Sequence, residues 1–540
     1  MNLRLASKTM VVMLALTMLS GCRNSARTGS ISNRGVRAVP PMLGRHEDVA
    51  DVQAVTYIRE AEPTLPDSAI PEVSTPPSNA TPNLELLPPT DAVNPSGPLT
   101  LDEVIGSIYT SYPLLDSALF SRDIAMGDHL AAHGGFDLKL KGASENGPLG
   151  FYETYRQSIG LVQPLYSGSE VWGGYRIGRG SFQPWYLERQ TNGGGEFKAG
   201  ISVPLMRNRT IDERRAELWR TDLERKLAEF DIQAQTIGFI QEASYAYWDW
   251  VAAGRGYWIS SHLLDLATSR TERIQRQVET GLIDPPELTD NLRLVADRRA
   301  KLADSTRKLQ QKAAKLSLYY RNIQGQPLVP SADRLPAFPE PELVNREQLD
   351  EDIAVAVASR PDLRVIDTLW EQLDVDLQQA YNLLQPDVSA VMWGSQDMGA
   401  PSSAKMDKSP FEMEAGLYVD VPLQRRKARG KITALEAKMQ QLAAKRRMTV
   451  DKISVEVQSS YAALLAAFEQ VKQTREAVAL AEEMAQIERR NFEVGASDLL
   501  KVTLREQYAA ESAIKEVDAF LEYHQARADY LAALASYAVQ

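Results

Sequence analysis

The chain has 540 residues, of which 44% are hydrophobic, 24% charged and only 7% aromatic, a balance that favours helix-rich structure over a compact enzyme with a dense aromatic core. A formal net charge of -11 excludes nucleic acid as a bulk partner, because phosphate binding needs a cationic face. Cys22 is the only cysteine, so no internal disulfide can form.

Residues 1–21 read as a secretory signal, with Arg4 and Lys8 ahead of an apolar run from Met10 to Leu19 and small residues before Cys22. The run is too short to span a bilayer as a helix. Leu19-Ser20-Gly21-Cys22 resembles a bacterial lipobox, which implies that Cys22 is acylated. Arg23 stands where many inner-membrane lipoproteins carry aspartate, so the resemblance points to the outer membrane. Residues 22–98 are rich in Pro, Ser, Thr and Asn without an apolar period, and are expected to be a disordered, lipidated tether. A single lipid chain holds a bilayer only marginally, so a second membrane element is expected further on.

Folded structure is expected from residue 99. Thr100 can cap a helix with Glu103 at the capping-box position. That helix is expected to reach His133, with a break at Pro113 and an end at Gly134-Gly135. A near copy begins at Leu349-Asp350-Glu351, continues through Arg360-Pro361-Asp362-Leu363 and runs to Gln385.

After each opening helix the period changes to two. Phe136 to Gly142, Phe197 to Val203 and Phe411 to Val421 alternate apolar with polar residues, and Tyr152 to Gln163 and Val171 to Arg179 add a hairpin in the first half. Such alternation suits a membrane β-barrel, apolar toward lipid and polar toward water, and suits a one-sided sheet on a soluble core equally well. The additional hairpin either enlarges the sheet or projects from it; sheet is the expectation. The Gly-rich stretches GGYRIGRG and TNGGGEF fit strand turns better than phosphate loops.

Val203-Pro204-Leu205 and Val421-Pro422-Leu423 close the two strand regions. Arg207, Arg209, Arg214 and Arg215 follow the first and Arg425, Arg426, Lys427 and Arg429 the second, as expected of side chains reaching lipid headgroups or solvating a helix start. Proline-free helical patterns then run from Asn208 to Glu279 and from Lys427 to Glu493, each on the order of 100 Å at 1.5 Å per residue. Gly254-Arg255-Gly256 is a point of loosening in the first. In the second, Ile432, Leu435, Met439, Leu442, Ile453, Val457, Tyr461, Leu464, Phe468, Val471 and Val478 form one apolar stripe. Turns at Gly281 and Gly495 lead into returning helices, Pro286 to Tyr320 and Ser497 to Tyr537.

The order of opening helix, strands, Val-Pro-Leu, long helix, glycine tip and returning helix thus occurs twice, a repeat at the scale of half the chain. In that order, with LTLDEVI and RPDL, SVPL and DVPL, ETGLIDPPEL and FEVGASDLL, the chain resembles the TolC-type outer-membrane efflux proteins. The resemblance implies a mixed α/β membrane protein in which three chains close a transmembrane β-barrel continued by a long periplasmic α-helical barrel. Its divisions are a first repeat 99–323, a connector 324–345 and a second repeat 346–540. It implies a passive exit duct for efflux or type I secretion, served by a periplasmic adaptor protein and an inner-membrane pump, with no cofactor. The tip residues Gly281, Leu282, Val494 and Gly495 would meet the adaptor.

No catalytic constellation stands out. His129 and His133 share a helical face but lack the Glu of a zinc-enzyme motif. In the family, carboxylates just beyond a tip can line the entrance. Glu287 and Asp290 match the spacing of such a pair in the first half; in the second half Lys501 and Leu504 hold those offsets, so Asp284 or Asp498 would have to substitute. The same carboxylates equally suit helix starts, where the backbone dipole favours negative charge. A periplasmic coiled-coil lipoprotein without a channel, an adaptor or scaffold, is the alternative; an adaptor would carry one helical hairpin, not two that each follow a strand set.

Overall fold

Thr100 caps the first helix as its sequence requires, its hydroxyl accepting the Glu103 amide at 3.2 Å. The reciprocal half of the capping box does not form. The Glu103 carboxylate instead accepts Tyr320 Oη at 2.7 Å and Arg334 Nη2 at 2.8 Å, tying the helix start to the connector. The computed structural model describes residues 97–183, 190–282, 284–343, 348–402 and 410–536. The signal at 1–21, Cys22 and the tether up to residue 96 lie outside the described residues, as does the expected helix end at Tyr537.

The opening pattern gives α1 (Leu101–Ser111) and α2 (Pro113–His133), and its copy gives α5 (Leu349–Ser359) and α6 (Pro361–Asn382). Proline opens both second helices, where its missing N–H costs no intrahelical bond. The long helices are α3 (Glu213–Glu279) and α7 (Arg426–Glu493), and the returning ones α4 (Pro285–Leu316) and α8 (Leu499–Ala533). Gly254-Arg255-Gly256 does not interrupt α3. A Cβ on Gly254 would lie 2.4 Å from Leu335 Cδ1, so glycine there admits the connector against the helix.

Each repeat buries its own core. Val104, Ile108, Ile240, Trp250, Val251 and Leu316 join α1, α3 and α4, while Leu363, Ile453, Val457, Leu464, Val471 and Tyr523 join α6, α7 and α8. The α7 stripe is buried at Ile432, Leu435, Ile453, Val457, Tyr461, Leu464, Val471 and Val478; Met439, Leu442 and Phe468 are half-buried beside it. Among the described residues no helix is long and apolar enough to cross a membrane.

Among the described residues six strands, β1 (Lys139–Gly147), β2 (Thr154–Pro164), β3 (Glu170–Gly180), β4 (Glu196–Pro204), β5 (Asp387–Asp397) and β6 (Glu412–Asp420), form one sheet in sequence order. Every neighbouring pair is antiparallel. The additional hairpin, β2–β3, lies inside this sheet. Two expectations are corrected, and one strand is added. The first strand starts at Lys139, because Gly134–Phe136 extend the helix end as a 3-10 turn. GGYRIGRG lies within β3, not in a turn: a Cβ on Gly174 would come 2.7 Å from the Ile159 carbonyl oxygen, so glycine lets β2 and β3 approach. Strand β5, which the sequence reading does not separate, is masked by the consecutive apolar Val391-Met392-Trp393, which breaks the alternation.

Candidate functional site

The register divides the sheet into two faces, because side chains paired across neighbouring strands lie on the same side. One row crosses all six strands as Leu140, Leu161, Gly173, Ala199, Gly394 and Met413. A parallel row runs Val171, Ile201, Met392, Ala415. This face is apolar and open among the described residues, with Leu140, Leu161, Met413 and Leu417 each more than 40% exposed. Its small residues leave an apolar furrow of about 610 Å³ between Leu140 and Phe411.

The opposite face is polar. Arg156 pairs with Glu145 at 2.6 Å, Arg176 with Glu196, and Lys198 Nζ sits 3.2 Å above the Trp393 ring. Trp172, Gly200 and Trp393 are register partners, and a Cβ on Gly200 would meet both indole side chains at 2.7 Å. Glycine at the centre thus makes room for the two rings and for the lysine above them.

The joint between sheet and α3 is built by Arg215. Its guanidinium is buried, bonding Asp212 Oδ1 at 2.9 Å, Arg209 O at 3.0 Å and Asn208 O at 2.5 Å, while Asp212 caps α3. Of the two roles expected for Arg215, headgroup contact or solvation of a helix start, neither describes it: its buried charge sits at the helix start and closes a turn in which Asn208 has φ +66°. The second joint is exposed and has Arg425 at φ +51°.

The two tips are copies in atomic detail. At the first, Gly281 N donates to Val278 O at 3.0 Å and Leu282 N to Gln277 O at 2.9 Å; at the second, Gly495 N donates to Phe492 O at 3.1 Å and Ala496 N to Asn491 O at 2.8 Å. Both are Schellman closures on a left-handed glycine, with φ +71° and +75°. Leu282 is 75% and Val494 74% exposed.

Asp284 and Asp498 occupy the same position after their glycines, each as the N-cap of the returning helix. Asp498 accepts the Lys501 amide at 2.8 Å and pairs with Lys501 Nζ at 3.1 Å, which holds its carboxyl below the usual range. Asp284 makes no side-chain cap bond. Asp290 is exposed and pairs with Arg293 at 3.2 Å, and Glu287 is half-buried in the first turn of α4. At the far end of the opening helix, His129 Nδ1 lies 3.1 Å from Thr221 Oγ1 and its ring meets His133 edge-on.

One cluster escaped the sequence reading. Glu506 on α8, only 2% exposed, pairs through one oxygen with Arg270 on α3 and through the other with Arg298 on α4 at 3.0 Å, and Arg298 also donates to Leu263 O at 2.6 Å. It locks the α3–α4 hairpin to α8 between the tips and the connector. A signal existed: all three occupy stripe positions, as in Ala267-Arg270-Ile274, Val295-Arg298 and Val502-Glu506-Ala510, where a charge has to find a partner. Further from the tips, the connector crosses both hairpins. Phe338 stacks on Phe520 at 5.1 Å and on Trp248 at 5.9 Å, and Tyr523 Oη bonds both the Glu342 amide and its carbonyl at 2.8 Å.

No protein-family model matches the sequence, and no curated protein matches it either. Solved structures do. The outer membrane protein VceC of Vibrio cholerae superposes with a TM-score of 0.56 at 17% identity, covering 81% of this chain and 96% of that one. The CmeC outer membrane channel of Campylobacter jejuni gives 0.55 at 12% identity over 86% and 94%. The open state of the MtrE outer membrane channel of Neisseria gonorrhoeae gives 0.55 at 14% over 81% and 88%. With its duplicated helical hairpins, glycine tips and one continuous sheet, the chain has the fold of the TolC-type outer-membrane channels.

Proposed function

We propose that the protein is a passive exit duct of the outer membrane, the outermost part of a tripartite efflux or type I secretion assembly driven by an inner-membrane pump. The observation that carries this reading is the two-faced sheet: an open apolar face and a charged opposite face on strands of 9 to 11 residues, the length and alternation of a lipid-spanning wall. An open sheet edge is not tolerated in lipid, so several chains have to close the wall together, and three are proposed from the family resemblance. The helices continue the duct through the periplasm on the order of 100 Å. Cys22 supplies a lipid anchor, and Gly281, Leu282, Val494 and Gly495 form the end that meets a periplasmic adaptor. Glu287 and Asp290 are the proposed gate carboxylates; Asp498, engaged as a cap by Lys501, is the weaker candidate, and Asp284 lies beside them.

The test is conductance of the purified oligomer in planar bilayers. Ohmic, cation-sensitive current is expected, and the double variant Glu287→Ala/Asp290→Ala is expected to raise it severalfold. An oligomer without conductance would sink the duct, and unchanged current in the double variant would leave the two carboxylates as helix-start residues.

A further inference from the structure

We propose that the two free edges of the sheet, β1 and β6, are a matched pair that joins successive copies of this chain, so that three copies close a wall of eighteen strands with the β2–β3 hairpin inside it. This rests on the duct reading above and extends it to the form of the wall.

The hairpin's position is the first argument. If it projected from the wall, β1 would pair with β4; instead β1 pairs with β2 along nine residues and β3 pairs with β4 along seven. All six strands are therefore consecutive staves, and β1 and β6 have no strand partner on their outer sides among the described residues. Parity is the second. With every neighbouring pair antiparallel, an even number of strands leaves β1 and β6 running in opposite directions, so β6 of one copy meets β1 of the next antiparallel and the ladder continues unbroken around the ring.

The edges also match in length and charge. Each has nine residues. At the end of the sheet nearest the helices, the polar face of β1 presents the exposed Lys139 and Lys141, and the polar face of β6 presents the exposed Asp420. In the in-phase register Lys139 stands opposite Asp420. At the far end Glu145 is already engaged by Arg156, so it does not face Glu414 as a bare charge. On the apolar side the same register sets Leu140 beside Val419.

Circumference is the third argument. Three copies of α3, α4, α7 and α8 make twelve helices, a ring of ~120 Å at about 10 Å per helix. At the usual barrel tilt each strand takes up about 6 Å of wall, so eighteen strands give ~110 Å and twelve only ~75 Å. Eighteen staves continue the helical ring with little change of bore.

The test pairs Ala143→Cys, midway along β1, with Gly416→Cys on β6, and in parallel with Glu414→Cys or Tyr418→Cys to cover a register shift of two. Oxidation of the membrane-assembled full chain is expected to give disulfide-linked dimers and trimers in one of these pairs, and electron cryo-microscopy of the same oligomer is expected to show eighteen strands. A conducting trimer with twelve strands and the β2–β3 hairpin outside the wall would overturn the inference and leave the duct standing. A protein that forms neither trimer nor conductance would overturn the duct reading itself.

Discussion

His524 is an imidazole held where a charge does not fit. It is 1% exposed, stacked on Trp248 with centroids 3.9 Å apart and on Phe338 at 5.7 Å, and its Nε2 has no hydrogen-bond partner among the described residues. Burial first, and then the nearby Arg527 charge, push its pKa down to about 4, against a backbone hydrogen bond with Pro339 that raises it. The sign follows. Above the ordinary value of 6.5 the ring is neutral in both folded and unfolded chains and contributes no pH dependence. As pH falls, the unfolded chain takes up a proton that the folded one refuses, so stability is lost down to about pH 4 and then levels off, by roughly 3 kcal/mol in all. His524→Phe is expected to remove that part of the acid loss. Unfolding midpoints across this range check it, and an identical loss in the variant would assign the effect elsewhere.

At the scale of elements, the tips are shaped by backbone conformation alone. Among the described residues nothing lies within 4 Å of a Cβ added to Gly281 or Gly495, yet both have positive φ. Gly281→Ala and Gly495→Ala are therefore expected to cost about 1 kcal/mol each through left-handed strain without any clash. Amide exchange at Leu282 and Ala496 is expected to speed up by roughly fivefold, and protection equal to the unmodified chain would contradict it. These tips were legible in the sequence because a Schellman closure is local: a glycine, a helical pattern on each side and a capping aspartate suffice. The α7 stripe was legible for the same reason, since its period repeats over many turns. Strand β5 and the Arg270–Glu506–Arg298 cluster were not, because each is decided by partners distant in sequence. Met392 and Trp393 read alike until the β4 and β6 registers assign them to opposite faces. Arg270 stands on the stripe of α3 as a charge that needs a partner, but only α8 laid against it identifies that partner as Glu506.

For the molecule as a whole, the two faces of the sheet make opposite demands on neighbouring residues. Leu417 and Tyr418 follow each other on β6, with Leu417 in the apolar set beside Ala390 and Tyr418 on the polar side beside Ser389. With lipid on the apolar side, Leu417→Arg is expected to cost about 2–4 kcal/mol and to deplete the oligomer in the outer-membrane fraction, whereas Tyr418→Glu, which adds a charge on the polar side and faces Lys141 in the in-phase register, is expected to assemble normally. Heat-modifiable mobility of membrane extracts measures both, and equal assembly of the two variants would place water on both faces.

The connector that binds Trp248, Phe338 and Tyr523 together has a mechanical meaning. From Trp248 to the end of α3 at Glu279 the helix is a stiff arm on the order of 45 Å long, so a rotation of 10° about the strap would carry the tip through roughly 8 Å. The strap is the fulcrum, the tip the long end of the lever, and the doubly bridged Glu506 a latch set between them, where a small angular strain is already a displacement of atomic size.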